Sequence, residues 1–327
     1  MQRSWRESEQ AHGHDLAVGD INRDGFPDVF VGIWEGRDLL YLGGSDGFKR
    51  AWQSGEELES HGVAIGDIDG DGHLDLAVGV KRGASAVYLG RSGFSEVIRL
   101  APDSLTKSLA IGDVDGDGDG DLVLGNQGAN ELFLFEDGAF VLAWTSEESE
   151  ESDSVRFEDF DGDGDLDLAV GNSTEAGQPN RVYRNGRRGL KLAWTSPDSL
   201  RSNQVAWGDL DGDGILELAV ANAGAPAQVW SRKKKGWERA WESECAPDGV
   251  GVAWGDIDGD GDSDLLVANP SDTQVFENQG GRLRLQGRFG HGGGTEALGL
   301  LDARGDGRLG VALARNGSIL ELWQQVR

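Results

Sequence analysis

The 327-residue chain contains a single cysteine, Cys245, and seven prolines. One cysteine excludes an intramolecular disulfide and a cysteine-rich zinc site, so core packing, bound ions or both must hold the fold. So few prolines exclude a proline-rich linker, and the 52 glycines do not follow the three-residue period of collagen. No stretch approaches 18 consecutive apolar residues, and the sequence therefore predicts no membrane-spanning helix.

Basic residues are also scarce, with 30 Lys and Arg against 58 Asp and Glu and a formal net charge of −28. A nucleic-acid-binding protein needs a basic patch for the phosphates, so this balance predicts no nucleic-acid partner. Hydrophobic residues make up 38% of the chain, which together with the glycines is enough for a packed core and excludes a disordered acidic tail. Residues 1–10 lack the apolar segment of a secretory signal.

An acidic segment recurs seven times along the chain, for example as AIGDIDGDGHLDLAVG from Ala64 and AWGDIDGDGDSDLLVA from Ala253. The copies are about 44 to 50 residues apart, a period that is typical of propellers and solenoids. The seventh copy, ALGLLDARGDGRLGVA from Ala297, is degenerate. The first ligand position of the segments falls at Asp20, Asp67, Asp113, Asp159, Asp209 and Asp256, and an alignment on the Ala-x-Gly triplet puts Leu300 there in the seventh copy.

Each unit reads as four short strands, which in the second copy are predicted over residues 63–65, 74–80, 86–89 and 94–100. No segment keeps a 3.6-residue period, so helices are expected to be scarce. Seven units of four strands predict an all-β fold, a seven-bladed β-propeller with four-stranded blades. The alternative is an open solenoid, which needs polar capping repeats. The propeller would be a single domain over residues 1–327, with blades that begin near residues 13, 61, 107, 153, 203, 250 and 294.

The two ends of the chain predict how the ring closes. Fourth strands carry a tryptophan 15 residues before the next acidic segment, as Trp52 and Trp144 do, and Trp5 stands at the same distance before Asp20. No first three strands precede Trp5, whereas the last unit lacks a fourth strand. Residues 1–10 are therefore predicted to form the outer strand of the last blade, which would remove two open sheet edges.

Six of the acidic segments follow the pattern D-x-[DN]-x-D-G-x-x-[DE]. A glycine at position 6 lets the chain curl so that carboxylates at positions 1, 3, 5 and 9 converge, and the variable residue at position 7 would offer its backbone carbonyl. Asp-Gly is also a plain turn signal, but a turn does not need crowded carboxylates that repel one another without a cation. The sequence predicts six Ca²⁺ sites, with Mg²⁺ less suited to so dense a ligand set.

The predicted calcium ligands are Asp20, Asn22, Asp24, Phe26 and Asp28; Asp67, Asp69, Asp71, His73 and Asp75; Asp113, Asp115, Asp117, Asp119 and Asp121; Asp159, Asp161, Asp163, Asp165 and Asp167; Asp209, Asp211, Asp213, Ile215 and Glu217; and Asp256, Asp258, Asp260, Asp262 and Asp264. In the seventh copy, Arg304 and Arg308 stand at positions 5 and 9 of the alignment. The hypothesis for this copy is that the two guanidinium groups neutralise Asp302 and Asp306, so that the seventh blade binds no metal.

These nine-residue motifs resemble the FG-GAP/VCBS-type calcium-binding propeller repeats, the family that includes the integrin α-subunit head. The resemblance covers essentially the whole chain and implies a seven-bladed propeller with Ca²⁺ in hairpins on one face. It implies no single activity, because relatives include adhesion modules, fungal sugar-binding lectins and propellers that form or accompany polysaccharide-acting lyases and dehydratases. The chain contains neither H-E-x-x-H nor G-x-S-x-G, so no catalytic residue is predicted.

The favoured function is a non-catalytic, calcium-stabilised binding or adhesion module for a carbohydrate or protein, and the alternative is a polysaccharide-active enzyme on the same scaffold. The ligand is expected on the face opposite the calcium loops, where loops on a rigid scaffold carry binding residues. Trp34, His14 and His61 are the ligand-binding candidates there, with solvated rim residues as the alternative for the histidines. Because such loops suit millimolar Ca²⁺, an extracellular, cell-surface or periplasmic location is expected.

Overall fold

The computed structural model describes residues 1–244, 248–290 and 292–325, so Cys245 lies outside the described residues. The regular secondary structure of these residues is β-strand, and the single helical element among them is one 3₁₀ turn at Gly90–Ser92. The chain enters the fold through β1 (Gln2–Arg6), β2 (Gly13–Gly19), β3 (Asp28–Gly36), β4 (Leu39–Leu42), β5 (Lys49–Gln53), β6 (Leu58–Gly66), β7 (Asp75–Val80), β8 (Ser85–Tyr88) and β9 (Val97–Leu100).

The middle of the chain contains two strands that are much longer than the others. These are β11 and β12, each of which pairs with different neighbours along its two halves. The strands of this region are β10 (Thr106–Gly112), β11 (Asp121–Glu136), β12 (Ala139–Glu158), β13 (Asp167–Asn172), β14 (Gln178–Arg184), β15 (Lys191–Leu200), β16 (Ser202–Gly208), β17 (Glu217–Asn222), β18 (Gln228–Lys233) and β19 (Gly236–Glu242).

The last strands lead back to the first one. β26 pairs antiparallel with β1, with Gln2 opposite Gln324 and Arg6 opposite Glu321. The buried carboxylate of Glu321 also forms ion pairs with Arg3 and Arg6 of β1. The strands are β20 (Gly251–Gly255), β21 (Asp264–Ala268), β22 (Asp272–Asn278), β23 (Leu283–Gly290), β24 (Thr295–Leu301), β25 (Gly310–Arg315) and β26 (Leu320–Gln324).

Hydrogen bonds arrange the strands in five antiparallel sheets of four, six, four, eight and four strands. The eight-stranded sheet joins two repeat units, β2–β5 and β6–β9, through a short pairing of Trp34 with Glu59. The six-stranded sheet runs from β10 to β15. Within it, β11 supplies the second and third strands of one unit, and β12 supplies the fourth strand of that unit and the first strand of the next. The structure therefore has the small antiparallel sheets that a propeller needs, with some neighbouring units linked at one edge.

Burial falls across each unit from the second strand to the fourth. All six residues of β7 (DLAVGV) are buried, because Val, Leu and Ala side chains alternate between two packed faces,. In β5 (KRAWQ) only Trp52 is even partly buried. The polar residues of the outer strand face solvent, and its tryptophan is the side chain that contributes to packing.

The tryptophans of the outer strands contact an aromatic ring of the third strand in the next unit. Trp52 meets Tyr88 with ring centroids 5.0 Å apart, in an edge-to-face arrangement that aromatic pairs favour,. Trp5 of β1 meets Tyr41 in the same way at 5.9 Å. The corresponding pairs in the other units are Trp144–Tyr183, Trp194–Trp230 and Trp241–Phe276.

Candidate metal loops and central cavity

The acidic segments form tight loops between the first and second strands of each unit. In the loop of Asp67–Asp75, Gly72 has φ +87°, a conformation that side chains disfavour,. This turn lets the Gly72 amide donate to Asp67 Oδ2 at 2.8 Å and the His73 amide donate to Asp71 Oδ1 at 2.7 Å. The same two bonds recur in the first loop, from Gly25 to Asp20 and from Phe26 to Asp24, both at 2.9 Å. The repeated sequence therefore makes a repeated loop.

In five loops the carboxylates converge. One oxygen from each of three side chains lies within 4.8 Å of the other two. In the first loop Asn22 replaces an acid, and among the described residues its remaining carboxylates do not form such a group. The five groups are Asp67, Asp69 and Asp71; Asp113, Asp115 and Asp121; Asp159, Asp161 and Asp167; Asp209, Asp211 and Glu217; and Asp256, Asp258 and Asp260.

Several carboxylate oxygens of the converging side chains are buried and accept no hydrogen bond. These are Oδ1 of Asp67 and Asp69 in the second loop and, in the fourth, Oδ1 of Asp161 and Oδ2 of Asp167. A buried carboxylate oxygen without a partner is costly, and a divalent cation would remove that cost. Clustered carboxylate oxygens on a curled loop suit Ca²⁺, which takes six to eight oxygen ligands. The residues present therefore fit calcium.

The acid at position 9 is buried and anchors the loop to the rest of its unit. Asp75 Oδ2 accepts the Ile68 amide of its own loop at 2.8 Å, and Oδ1 accepts the Gly90 amide of the next hairpin at 2.7 Å. Asp121 is bonded in the same way by Val114 and Phe135. Position 9 thus connects the loop to the third strand, whether or not it also binds a metal.

Burial and mutual repulsion disfavour the charged form of these acids. Burial raises the pKa of Asp167 to about 7, and the nearby carboxylate of Asp161 adds to the effect. Burial likewise raises the pKa of Asp121 to about 6, against lowering by two backbone hydrogen bonds. An added cation would favour the charged forms and reverse these shifts.

Position 7 shows one contact that the sequence did not predict. The His73 side chain does not belong to a converging group, and its Nδ1 lies 3.0 Å from Asp71 Oδ1. The Asp119 side chain, in contrast, reaches the neighbouring loop, where its Oδ1 is 2.4 Å from the place that a Cβ on Gly70 would occupy. Burial raises the pKa of Asp119, and Asp117 and Asp69 raise it further.

At the opposite end of the first strands, a cavity of about 240 Å³ is lined by the residue six positions before each acidic loop. Each repeat unit supplies one such residue from the start of its first strand. The seven residues are His14, His61, Lys107, Asp153, Asn203, Val250 and Glu296.

Two of the three ligand-binding candidates lie in this cavity and the third lies beside it. The rings of His14 and His61 are 4.3 Å apart, and Trp34 packs against both, 4.5 Å from His61 and 5.5 Å from His14. Neither histidine is simply solvated: His61 is only 5% exposed, and His14 Nδ1 donates to the backbone carbonyl of His61 at 3.0 Å. Burial lowers the pKa of His61 to about 2, so the ring is neutral.

Comparison with known families now identifies the repeats. FG-GAP-like repeats match residues 20–78, 67–124, 113–170, 159–220, 209–267 and 256–313. The chain belongs to the FG-GAP-like repeat family. No curated protein sequence matches the chain.

Solved structures extend the family assignment to the fold. Two crystal structures of BBS1N in complex with ARL6DN, one soaked with mercury and one with lead, are similar to this chain with TM-scores of 0.70 and 0.69. The identities are 12% and 11%, and each comparison covers 100% of this chain and 98% of the other. The FG-GAP repeats and this likeness show an all-β, propeller-like arrangement of small sheets.

The strand register corrects the alignment of the degenerate FG-GAP copy. Leu301 pairs with Gly310 as Gly66 pairs with Asp75, so Asp302, and not Leu300, stands at position 1. The Asp302 carboxylate confirms this, since it accepts the Gly307 amide at 2.7 Å, as Asp67 accepts that of Gly72. The prediction of Leu300 at position 1 was wrong by two residues.

The corrected register also moves the two arginines. Arg304 occupies position 3 and Arg308 position 7, not positions 5 and 9 as the alignment had them, while Gly310 stands at position 9. Asp306 takes position 5. Among the described residues this loop holds no group of three converging carboxylates. The loop has lost the acid at position 3, which belongs to all five converging groups, and the acid at position 9, which belongs to three of them.

No helix among the described residues is long and apolar enough to cross a membrane.

The recurring asparagines after the second strands, such as Asn172 and Asn222, are buried, and their side-chain amides donate to the carbonyls of Pro179 and Pro226 in their hairpins. Their role is therefore structural.

Proposed function

We propose that the chain forms a closed seven-bladed propeller, stabilised by six calcium ions, that acts as a non-catalytic binding module. The observation that carries the ring is the central cavity, to which all seven repeat units contribute the same first-strand position. The pairing of β1 with β26 supports closure, because it gives the last unit a fourth strand and leaves no open edge between the first and last units,.

Calcium is proposed from the unpaired, buried oxygens of the loops. Crowded carboxylates such as Asp161 and Asp167 destabilise the metal-free fold, and a bound cation would convert that repulsion into attraction,. Binding to the folded state alone stabilises it in proportion to ion concentration. The proposed role of calcium is therefore to hold each hairpin closed and not to activate a substrate.

The ligand-binding end is proposed to be the one that carries the cavity and Trp34. Trp34 and the neighbouring Glu35, Arg37 and Arg50 line a second, more open hollow of about 550 Å³. An aromatic ring with charged neighbours suits either a sugar face or a protein side chain. The similarity to BBS1N, whose structure was solved with ARL6DN, supports a protein as one class of partner.

An extracellular, cell-surface or periplasmic location is proposed with this function. Carboxylate loops of this kind suit the millimolar Ca²⁺ found outside cells. The proposal is separate from the fold, and detection of the protein in a cell-surface or secreted fraction would test it.

A glycan array and a protein-interaction screen, both in millimolar CaCl₂, test the binding role. We expect a bound ligand without turnover, and we expect Trp34→Ala to lose that binding. Trp237→Ala, on the metal-loop side, is the matched control that should retain it. Formation of an unsaturated product from a uronide polymer would contradict the non-catalytic proposal and favour a lyase.

A further inference from the structure

The central cavity contains a departure from the repeat that the scaffold does not require. Three residues before each acidic loop, the first strand holds a small residue in every unit except the fourth, where Arg156 lines the cavity. The other units have Ala17, Ala64, Ala110, Ala206, Ala253 and Gly299. Packing is satisfied by alanine at this position, so the guanidinium of Arg156 needs another explanation.

The carboxylates that line the cavity already have partners. Asp15 accepts the Leu16 amide at 2.9 Å and the Val63 amide at 3.0 Å. Asp153 pairs with Lys107, whose ammonium also contacts Glu151 at 2.7 Å. Glu296 Oε1 lies 3.3 Å from His12 Nε2. None of these acids depends on Arg156 for a direct ion pair.

Two cations of the cavity, in contrast, form no direct ion pair among the described residues. Burial raises the pKa of Asp15, and the charge of Arg156 opposes this larger effect by favouring the ionised carboxyl. Arg156 donates to the carbonyl of Val155 at 2.8 Å, and Lys81 lies 5.3 Å from the centre of the Trp34 ring. Within the described part of the chain, no carboxylate oxygen lies within 4.0 Å of either cationic group. A guanidinium has five N–H donors, so most of the hydrogen-bonding capacity of Arg156 remains.

The polar side chains beside Arg156 also have donors to offer. Ser108 Oγ accepts the Val155 amide and Ser154 Oγ accepts the Val205 amide, both at 3.2 Å. Gln204 Oε1 accepts the Val252 amide at 2.7 Å. These bonds between neighbouring units use the acceptor atoms, which leaves the hydroxyl hydrogens and the Gln204 amide group to donate into the cavity.

A buried histidine indicates that a partner belongs in the cavity. His61 is only 5% exposed, and neither of its ring nitrogens has a hydrogen-bond partner. Buried polar atoms are nearly always paired, so an unpaired ring that faces a cavity points to a missing ligand. A neutral imidazole offers one donor and one acceptor, which suits a hydroxyl group.

We propose that the central cavity binds a small hydroxylated carboxylic acid, with its carboxylate on Arg156 and a hydroxyl group on His61. A guanidinium binds a carboxylate through two parallel hydrogen bonds. The three acids in the wall would repel a doubly charged phosphate more than a singly charged carboxylate. The inference rests on the proposed binding role of this end of the propeller and names the ligand class for its centre.

Calorimetric titration of the full chain in CaCl₂ with glucuronate, lactate, glucose and inorganic phosphate tests the proposal. Glucuronate and glucose differ at one carbon, so they isolate the carboxylate. We expect glucuronate or lactate to bind, and glucose and phosphate to bind at least about tenfold more weakly. Failure of both acids to bind, or equal affinity for glucose and glucuronate, would overturn the proposal.

Two variants locate the site. Arg156→Ala should raise the dissociation constant of the bound acid by about tenfold or more without lowering the melting temperature, because five other units have alanine at this position,. Arg188→Ala, which removes an exposed arginine from the β14–β15 hairpin, should leave the dissociation constant unchanged. If Arg156→Ala folds poorly, Lys81→Ala is the second variant and should weaken binding as well.

If Arg156→Ala folds and its affinity for the small acid is unchanged, the assignment of the carboxylate to Arg156 is contradicted. Different results would contradict the proposed function, namely a melting temperature that does not depend on calcium or the absence of any glycan or protein ligand. Neither result would alter the titration with small acids. The two failures are therefore distinguishable.

Discussion

The six acidic loops and the degenerate loop at residues 302–310 share one backbone turn but differ in how their acids are balanced. In the fourth loop, burial raises the pKa of Asp167 to about 7, and its Oδ2 has no hydrogen-bond partner. In the degenerate loop, burial also raises the pKa of Asp302, but backbone hydrogen bonds from Gly307, Asp306 and Arg304 outweigh it, and the pKa is lowered. The turn itself is thus made by backbone hydrogen bonds to one acid, whereas the acids added to it are buried and repel one another.

This difference separates two ways to secure a unit. Units with a full acid set can be secured by a cation, but the last unit is secured by the pairing of β1 with β26 and by Glu321, which contacts Arg3, Arg6 and Arg315. We therefore expect loss of metal and loss of strand pairing to act on different parts of the ring.

Removal of calcium is expected to have the largest effect. Several loops would lose bound ions at once, and each ion contributes about 3 kcal/mol when its concentration is a hundred times the dissociation constant. EDTA should therefore lower the melting temperature by about 10 °C or more, as measured by differential scanning calorimetry. Magnesium added in place of calcium is the control and should restore little. A melting temperature that is the same with and without EDTA would contradict the proposal that calcium stabilises the fold.

Trp5→Ala tests the strand that serves the last unit. Trp5 packs on Tyr41 and Phe48 as Trp52 packs on Tyr88 and Phe94. If β1 acts as an outer strand, Trp5→Ala and Trp52→Ala should each cost about 3 kcal/mol in the free energy of unfolding. Urea denaturation should give the same cost for Trp5→Ala with calcium and with EDTA. A negligible cost for Trp5→Ala beside a large one for Trp52→Ala would contradict closure through β1.

The repeat, the loop geometry and the propeller-like fold could be predicted because they depend on residues close together in sequence. The D-x-D-x-D-G spacing fixes which carboxylates curl around one point, as in the loop of Asp67. The degenerate copy could not be aligned correctly, since its Ala-x-Gly triplet suggests one register and its strand pairing has another. The pairing with the strand that begins at Gly310 and the bond from the Gly307 amide to Asp302 decide between them.

The role of Arg156 in the cavity could not be predicted for a different reason. His14, His61 and Trp34 were found from their repeat positions, but the significance of Arg156 depends on which acids already have partners. Asp15 is bonded by Val63 and Ser108 by Val155, and such contacts join residues about one repeat apart. A signal was nevertheless present, because Arg156 stands at a position where five units have alanine and the seventh has glycine. The reach of Asp119 to Gly70 had no comparable signal.

Substitutions at Asp69 and Asp302 test whether an acidic loop binds metal and the degenerate loop does not. Asp69→Asn removes an acid whose Oδ1 has no hydrogen-bond partner, so bound calcium should fall by one ion and the calcium-loaded protein should lose about 2 kcal/mol. In EDTA the same change should alter the melting temperature little, because the relief of repulsion between carboxylates is offset by loss of the Asp69 ion pair with Arg91 at 2.7 Å,. Asp302→Asn should leave the number of bound ions unchanged, as measured by atomic emission. A loss of one ion in Asp302→Asn would show that the seventh loop binds metal.

The smallest expected effect is a pH dependence whose direction depends on calcium. Asp167 has a pKa raised to about 7 and Asp121 to about 6 in the metal-free fold, above the ordinary value of about 4 in the unfolded chain. The folded state then binds more protons, so in EDTA the stability contributed by these groups is full below about pH 4 and is lost as pH rises through 6 to 7. With calcium the direction should reverse, because the ion binds deprotonated carboxylates. Melting temperatures at pH 5 and pH 8, with and without calcium, measure both slopes, and Asp167→Asn should flatten the slope in EDTA. Slopes of the same sign in the two conditions would contradict the assignment of these acids to a metal site.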